Sequence, residues 1–385
     1  MNFAQDSGAL AADSAEARRY NRTQRWLGFA DFVIGAAFLI VLLLTGWTNW
    51  LRDLALRRGF QNYTVAVFLY LLFLLLISKV LGFGLDYYGF RHEQKFQLSN
   101  QKFRSWLWDE VKGFLLGLIL ASILVELLYF MIRESPQHWW ILTWGLFMSF
   151  FVVMAQLAPV VLFPIFYKFE PLDNEDLRRR LVQLSEQAGT RVRGVYRWNL
   201  SEKSKKANAA LTGLGSTRRI ILADTLLDNY APEEIEAVLA HELGHHVHRH
   251  IMKSILVQAG ITLFGFWVAN FVLHYSVDHH MFEELSDFAN LPLLAITATL
   301  ISLMLMPALN AYSRYNERQA DRYAFESITS IEPFISSMNK LAQQNLAERT
   351  PARWIEVLFH SHPAIAKRVA AAEAWSRSQG ATPQA

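Results

Sequence analysis

No cysteine occurs among the 385 residues. Disulfides and thiolate metal sites are thereby excluded, and any metal must be held by histidines and carboxylates. A basic stripe with interleaved aromatics is missing too, and the net charge is only +3, so nucleic acid is not expected as a partner. Internal repeats and low-complexity tracts are absent, and the final "TPQA" is no lipidation box. Ahead of Trp26 there is no short apolar core with a small-residue cleavage site, so the N-terminus is expected to be retained. Charge is sparse at 18%, whereas 52% of the residues are hydrophobic.

That apolar excess is gathered in blocks. They run from about Trp26 to Trp47 ("WLGFADFVIGAAFLIVLLLTGW"), Tyr63 to Phe83, Gly113 to Ile132, Trp139 to Tyr167 (interrupted by Pro159 and Pro164), Ile251 to Tyr275 and Leu291 to Tyr312. Each is close to the roughly 20 residues a spanning helix needs. Lys and Arg set the orientation. Arg91, Lys95, Lys102, Arg104 and Lys112 lie between spans two and three, and more basic residues follow span four, whereas "SVDHHMFEELSDFAN" after span five is acidic. Both termini and the long segment 168–250 are therefore expected in the cytoplasm, against the dissent of Arg52, Arg57 and Arg58.

The polar parts carry their own signals. "EPLDNEDLRRRLVQLSEQAG" has Asp173 or Asn174 as a helix N-cap, and apolar Leu177, Leu181 and Leu184 follow at helical spacing. Three β-prone runs (191–198, 207–214 and 218–224), separated by "NLSEKSKK" and "GST", predict a small sheet. "APEEIEAVLAHELGHHVHRH" then opens a helix with Pro232 in the first turn and Glu233 and Glu234 where the macrodipole favours acids.

On that helix His241 and His245 lie one turn apart and share a face, so both imidazoles can ligate one ion. Glu242, beside the first ligand, is placed to act as general base toward an attacking water. This is the HExxH arrangement, and the metal it most often implies is zinc. A third ligand is needed. The extended form of the motif would put a histidine at 251, which is Ile, so the ligand comes from elsewhere. "NERQAD" (316–321) offers Glu317 as ligand and Asp321, four residues on, as acceptor from a ligand histidine; the competing reading is an exposed helix with Glu317 paired to Arg314 or Arg318. His246 reads as structural on the far face, His248 as solvated or in contact with a ligand, and His250 as an interfacial polar residue. Asp31 and Glu126 lie inside spans, where a charge requires water or a partner.

The quoted "AVLAHELGHHVHRH", a span, and then "NERQADRYA" resemble the membrane-embedded zinc metalloproteases of the CAAX prenyl protease 1 type. The likeness extends over "RHEQKFQLSNQKFRSWLWDEVKG", "APVVLFPIFYKFEPL", "SEKSKKANAALTGLGSTRRIILADTLL" and "SHPAIAKR". It implies that Glu317 is the third zinc ligand, with Asp321 behind it. Asn208 and Ala209 would belong to an edge strand that pairs with an extended substrate. His362 and Arg368, within Ser361–Arg368, would contact substrate or stabilise the oxyanion. The signature is closer to bacterial members, and the first of the seven spans found in eukaryotic members is missing here. The family also implies a water-filled chamber among the membrane helices.

The fold expected is a predominantly α-helical integral membrane protein with about six transmembrane helices plus a cytosolic zinc-metalloprotease domain with a small β-sheet. Its divisions are a cytosolic N-terminal segment (1–25), transmembrane helices one to four (26–167), a cytosolic protease region with the HExxH helix (168–250), transmembrane helices five and six (251–312), a second protease region with the third ligand and C-terminal motif (313–378), and a disordered tail (379–385). The function expected is that of a membrane zinc endopeptidase with one Zn2+ per chain, acting on peptide or protein substrates that extend to prenylated ones, in contact with membrane lipids in a bacterial inner membrane. Two competitors are a quality-control protease of the HtpX type and a histidine-rich metal-binding or transport protein. A carrier would place its ligands within the spans, whereas here the histidines precede span five and adjoin a glutamate.

Overall fold

The computed structural model describes residues 13–213 and 218–380. The first twelve residues, the "GST" turn and the tail beyond 380 lie outside the described residues. The last helix runs through Gly380, past the expected boundary at 378, because no breaker interrupts the helix-compatible Arg377, Ser378 and Gln379.

Along the membrane region, α1 (Ala15–Leu44) starts from Ser14, whose hydroxyl accepts the Ala17 amide at 3.0 Å. Arg18, Arg22 and Arg25 therefore extend the first spanning helix, and Arg25 reaches Glu348 at 2.7 Å. The segment with the dissenting arginines is itself a helix, α2 (Trp47–Arg58), followed by α3 (Tyr63–Lys95), α4 (Phe103–Glu134) and α5 (Trp139–Leu157). At Pro159 the chain widens into a π-helical stretch, Ala158–Leu162, before the short α6 (Phe163–Phe166). A proline cannot donate to the preceding turn, and the wider winding accommodates that loss.

Beyond it come β1 (Phe169–Pro171), α7 (Glu175–Gln187, capped by Asn174), β2 (Val195–Trp198), β3 (Ala209–Thr212), β4 (Arg219–Ala223), α8 (Asp224–Leu227) and α9 (Pro232–Val247). The chain then re-enters the membrane region with α10 (His250–Asp278) and α11 (Leu291–Ser327), and ends with α12 (Glu332–Gln344), α13 (Arg353–Phe359) and α14 (Ile365–Gly380).

Among the described residues six helices are long and apolar enough to cross a membrane, and their most apolar stretches are largely unburied by the protein itself. Lipid is the environment that such surfaces require. The close helix pairings run α1 to α3, α3 to α4, α4 to α5, α5 to α10, α10 to α11 and α11 back to α1. The six helices thus close a ring. One end is plugged by a buried cluster of Leu51 and Ala55 from α2, Tyr70, Tyr129, Trp139 and Phe288. Within this plug Thr48 meets Tyr70 at 2.6 Å and Tyr129 donates to Asn290 at 2.7 Å. Arg52, one of the three dissenters, pairs with Asp287 of the acidic loop at 2.6 Å.

The other end carries the polar module. Its four-stranded sheet has the order β1-β2-β4-β3, with β2 and β4 parallel and the outer pairs antiparallel. Ile235, Leu239 and Leu243 of α9 pack on the sheet together with Ile220, Leu222 and Leu226. Ala237 and Ala240 face the other way, toward Ala324, Phe334 and Met338. The motif helix is therefore held between the sheet and the α11–α12 layer, and β3 is left as a sheet edge.

Candidate metal centre

Burial on both faces fixes α9, and the approach of α11 then completes a site. Gly244 makes that approach possible: a Cβ there would lie 2.8 Å from the Ala320 Cα and 2.9 Å from its carbonyl oxygen. With Ala320 against Gly244, the residue three positions earlier, Glu317, stands over His241 and His245. His241 Nε2 and His245 Nε2 are 3.3 Å apart, and each is 3.3 Å from a Glu317 carboxylate oxygen. The three candidate ligand atoms lie within 4.8 Å of one another, and no other such group occurs among the described residues.

The donor set fits a divalent cation. Glu317 Oε2 is buried with no hydrogen-bond partner among the described residues, an arrangement that is costly unless a cation satisfies it. The outward nitrogens are both engaged. His241 Nδ1 lies 2.9 Å from Asp321 Oδ1, which accepts its N–H and leaves the Nε2 lone pair facing Glu317. Nδ1 of His245 lies 3.0 Å from Nδ1 of His250, whose Nε2 is 3.0 Å from Gln319 Oε1. His250, read from sequence as interfacial, is thus buried against a site histidine, and His248 stacks on it at 5.5 Å.

Glu242 lines a cavity of about 1070 Å³ that runs from the sheet edge at Leu211 and Gly213 to Gln258 of α10. Burial pushes its carboxyl above the ordinary value, which suits a group that must accept a proton near neutrality. His246 lines the same cavity, so its expected place on the far face is corrected: the cavity wraps around the helix end. Asn208 immediately precedes β3 and its carbonyl accepts the Ala223 amide at 3.0 Å, while Ala209 pairs with Leu222. Both belong to the edge ladder, and Leu211 is the β3 residue that lines the cavity.

His362 stands on the loop before α14 with its Nε2 3.3 Å from Glu317 Oε1 and its Nδ1 2.9 Å from the Ser361 hydroxyl. Arg368 lies behind His241, where it grips Asp321 with two bonds of 2.5 and 2.9 Å. Burial opposes its charge, and Asp321 more than restores it. Sequence reasoning missed Gly244, His250 and Gln319; a glycine inside a helix was the available signal for the first.

The comparisons agree with this anatomy. The model described as "Peptidase family M48" matches residues 171–376, and that described as "CAAX prenyl protease N-terminal, five membrane helices" matches residues 10–168. Within those N-terminal residues four helices are long and apolar enough to span, with α2 as a shorter fifth. An "Uncharacterized metalloprotease YhfN" of Bacillus subtilis is 29% identical over 94% of this chain and 86% of its own. A "Probable CAAX prenyl protease 1" of Schizosaccharomyces pombe is 25% identical over 87% and 71%. The crystal structure of S. mikatae Ste24p superposes with a TM-score of 0.85 at 21% identity, covering 93% of this chain and 88% of that one, a likeness of fold.

Proposed function

The chain belongs to peptidase family M48 and is a membrane metalloprotease of the CAAX prenyl protease type, and from that premise we propose that His241, His245 and Glu317 hold one zinc ion and that Glu242 is the general base. A cation held there supplies Lewis acidity to the attacking water and the scissile carbonyl. Glu242 takes the proton of that water and returns it to the leaving amine. His362 donates from Nε2 to the developing oxyanion. Asp321 orients His241, and Arg368, committed to Asp321, positions rather than touches substrate. The edge strand with Asn208 and Ala209 pairs with an extended peptide along the cavity, through main-chain bonds that suit varied sequences.

The substrate proposed is a peptide or protein that is prenylated near its C-terminus, as the names of the similar proteins suggest. The protein is proposed to lie in a bacterial inner membrane with the protease module and both termini cytoplasmic. Arg91 and Lys95 at the end of α3, Lys102, and Arg104 and Lys112 at the start of α4 support this orientation, and Arg52 weighs little against it because Asp287 and Asp53 neutralise it. The observation that carries the reading is the buried, unsatisfied Glu317 oxygen beside two histidines whose other nitrogens are already held.

The test compares purified wild type with Glu242→Ala, measuring zinc content and cleavage of one CaaX peptide with and without its farnesyl group. Zinc is expected in both proteins, with cleavage lowered about 10²–10⁴-fold in the variant. A chelator should abolish wild-type cleavage, and zinc should restore it. Undiminished cleavage by Glu242→Ala would remove it as the base; equal cleavage of both peptides would remove prenyl recognition.

A further inference from the structure

On the far side of Arg368 and Asp321 from Glu242 lies a second cavity, of about 550 Å³, that shares no lining residue with the first. Arg314, Arg318 and Arg322, at four-residue spacing on one face of α11, line it with Arg353 of α13 and with Lys367 and Arg368 of α14. Two carboxylates also line it, and both are taken: Glu356 by Lys367 and Asp321 by Arg368, each at 2.5 Å. Arg318 and Arg353 have no hydrogen-bond, ion-pair or ring partner among the described residues. Like charges gathered in a concave site raise the local potential, and an anion relieves it.

The level of this cavity identifies the anion's source. Asn310 and Arg314 stand where the apolar run of α11 gives way to charge, and they fasten α13 at that height. Asn310 Nδ2 donates to the Leu358 carbonyl at 2.6 Å, and Arg314 Nη1 to those of Glu356 and His360 at 2.9 and 2.7 Å. At 1.5 Å per residue, Arg318 rises about 6 Å beyond Arg314, into the layer that headgroups occupy. Helix α13 buries Ile355 and Glu356 but turns Trp354, Val357 and Phe359 outward, 60%, 40% and 54% exposed. Exposed aromatics at the end of a spanning helix belong to a bilayer interface. Phe325 and Trp375 give the cavity an apolar wall beside its cations.

We propose that this cavity binds the phosphate headgroup of an anionic phospholipid, clasped between Arg318 and Arg353, with α13 lying on the bilayer surface. Arginine forks match phosphate oxygens in pairs, and the two unpartnered guanidiniums come from different elements, so one headgroup ties α11 to α13. The chain that leaves α13 carries His362 to the metal centre, and a fixed α13 fixes that loop.

Full-length protein, delipidated in detergent, is titrated with short-chain phosphatidylglycerol, phosphatidylcholine or glycerol phosphate, and bound lipid is counted by native mass spectrometry. Phosphatidylglycerol should bind in preference to phosphatidylcholine. Arg318→Gln combined with Arg353→Gln should weaken it at least fivefold, the share of about one basic side chain at an anionic surface. The same arginines changed to lysine should retain much of the binding. Arg57→Gln combined with Arg58→Gln, at the other end of the ring, should leave it unchanged. Because neither Arg318 nor Arg353 holds another residue, the lipid-free melting temperature of the glutamine variant should match wild type. Phosphatidylglycerol binding that survives in the glutamine variant, or glycerol phosphate bound as tightly as the lipid, overturns the proposal.

Discussion

Gln319 orders a run of hydrogen bonds that ends at His245, one of the proposed metal ligands. Its amide nitrogen donates to the Tyr315 hydroxyl at 3.2 Å, which turns Oε1 toward His250 Nε2. His250 must then donate from Nε2, so its Nδ1 is an acceptor, and His245 donates to it from Nδ1. The lone pair of His245 is thereby left on Nε2, facing His241 and Glu317. His250→Ala removes the acceptor and should lower zinc affinity about 10–100-fold. His250→Asn, whose amide oxygen can accept the same proton, should recover most of it in a chelator-competition titration. An equal loss in both variants would mean that His250 serves only to fill space. The sequence makes His241 and His245 legible because four residues on a helix bring them to one face. It conceals His250 because α9 ends at Val247, and Arg249, at φ 55°, turns the chain before α10 begins. Helical spacing cannot be counted across that break.

Two elements, α9 and α11, make the site by touching, and the contact depends on the smallest side chains available. Gly244→Ala puts a methyl group into the Ala320 backbone, which cannot yield as a flexible side chain would. The variant should lose about 1–3 kcal/mol of stability and, by pushing Glu317 away from the histidines, part of its zinc affinity; thermal unfolding with metal analysis would read both. Normal zinc content in a stable Gly244→Ala protein would show that α11 adapts. The start of α9 is tied down separately. Glu234 accepts from the Ala231 amide at 2.7 Å, from Lys340 at 2.6 Å and from the Ser336 hydroxyl at 2.5 Å. Burial works against its charge, but Lys340 and Ser336 outweigh it and hold the carboxyl below its ordinary value. A carboxylate with a lowered folded-state value stabilises above the ordinary range and loses that contribution as pH falls through the lowered value. Glu234→Ala should therefore cost ~2 kcal/mol near neutrality, and the difference from wild type should shrink in melts run toward pH about 3. A gap that persists in acid would assign the effect to packing. Such long periodic elements were legible in the sequence, as were three of the four strands. The fourth, β1, has only three residues and contains Pro171, and α2 was masked by its arginines, which read as loop charges until Asp287 is seen opposite Arg52.

At the scale of the molecule, six helices that pair in a ring, plugged at one end and roofed by the protease module, can enclose a space that the sequence could suggest only through polar residues placed within spans. Glu126, Ser122 and Asn270 each carry a buried polar atom with no partner among the described residues, as expected where water completes the bonding. The cavity in front of Glu242 extends along α10, where Ile251, Ser254, Ile255 and Gln258 line it. Leu256 and Trp267 occupy the opposite face of the same helix, 66% and 54% exposed, as lipid-facing residues would be. A helix with one wet and one lipid face permits a direct comparison at a single depth. Because the chain has no cysteine, Gln258→Cys and Leu256→Cys each create a unique thiol. A membrane-impermeant thiol reagent should modify Gln258→Cys in intact proteoliposomes, and a bound peptide should slow that reaction. Leu256→Cys should remain unmodified, since a thiol in hydrocarbon neither ionises nor meets the reagent. Reversal of that pattern would turn α10 around and make the ring interior dry. The predicted pattern would make the space beside Glu242 an aqueous compartment continuous with the metal centre, so that the water consumed in hydrolysis need not cross lipid to reach it.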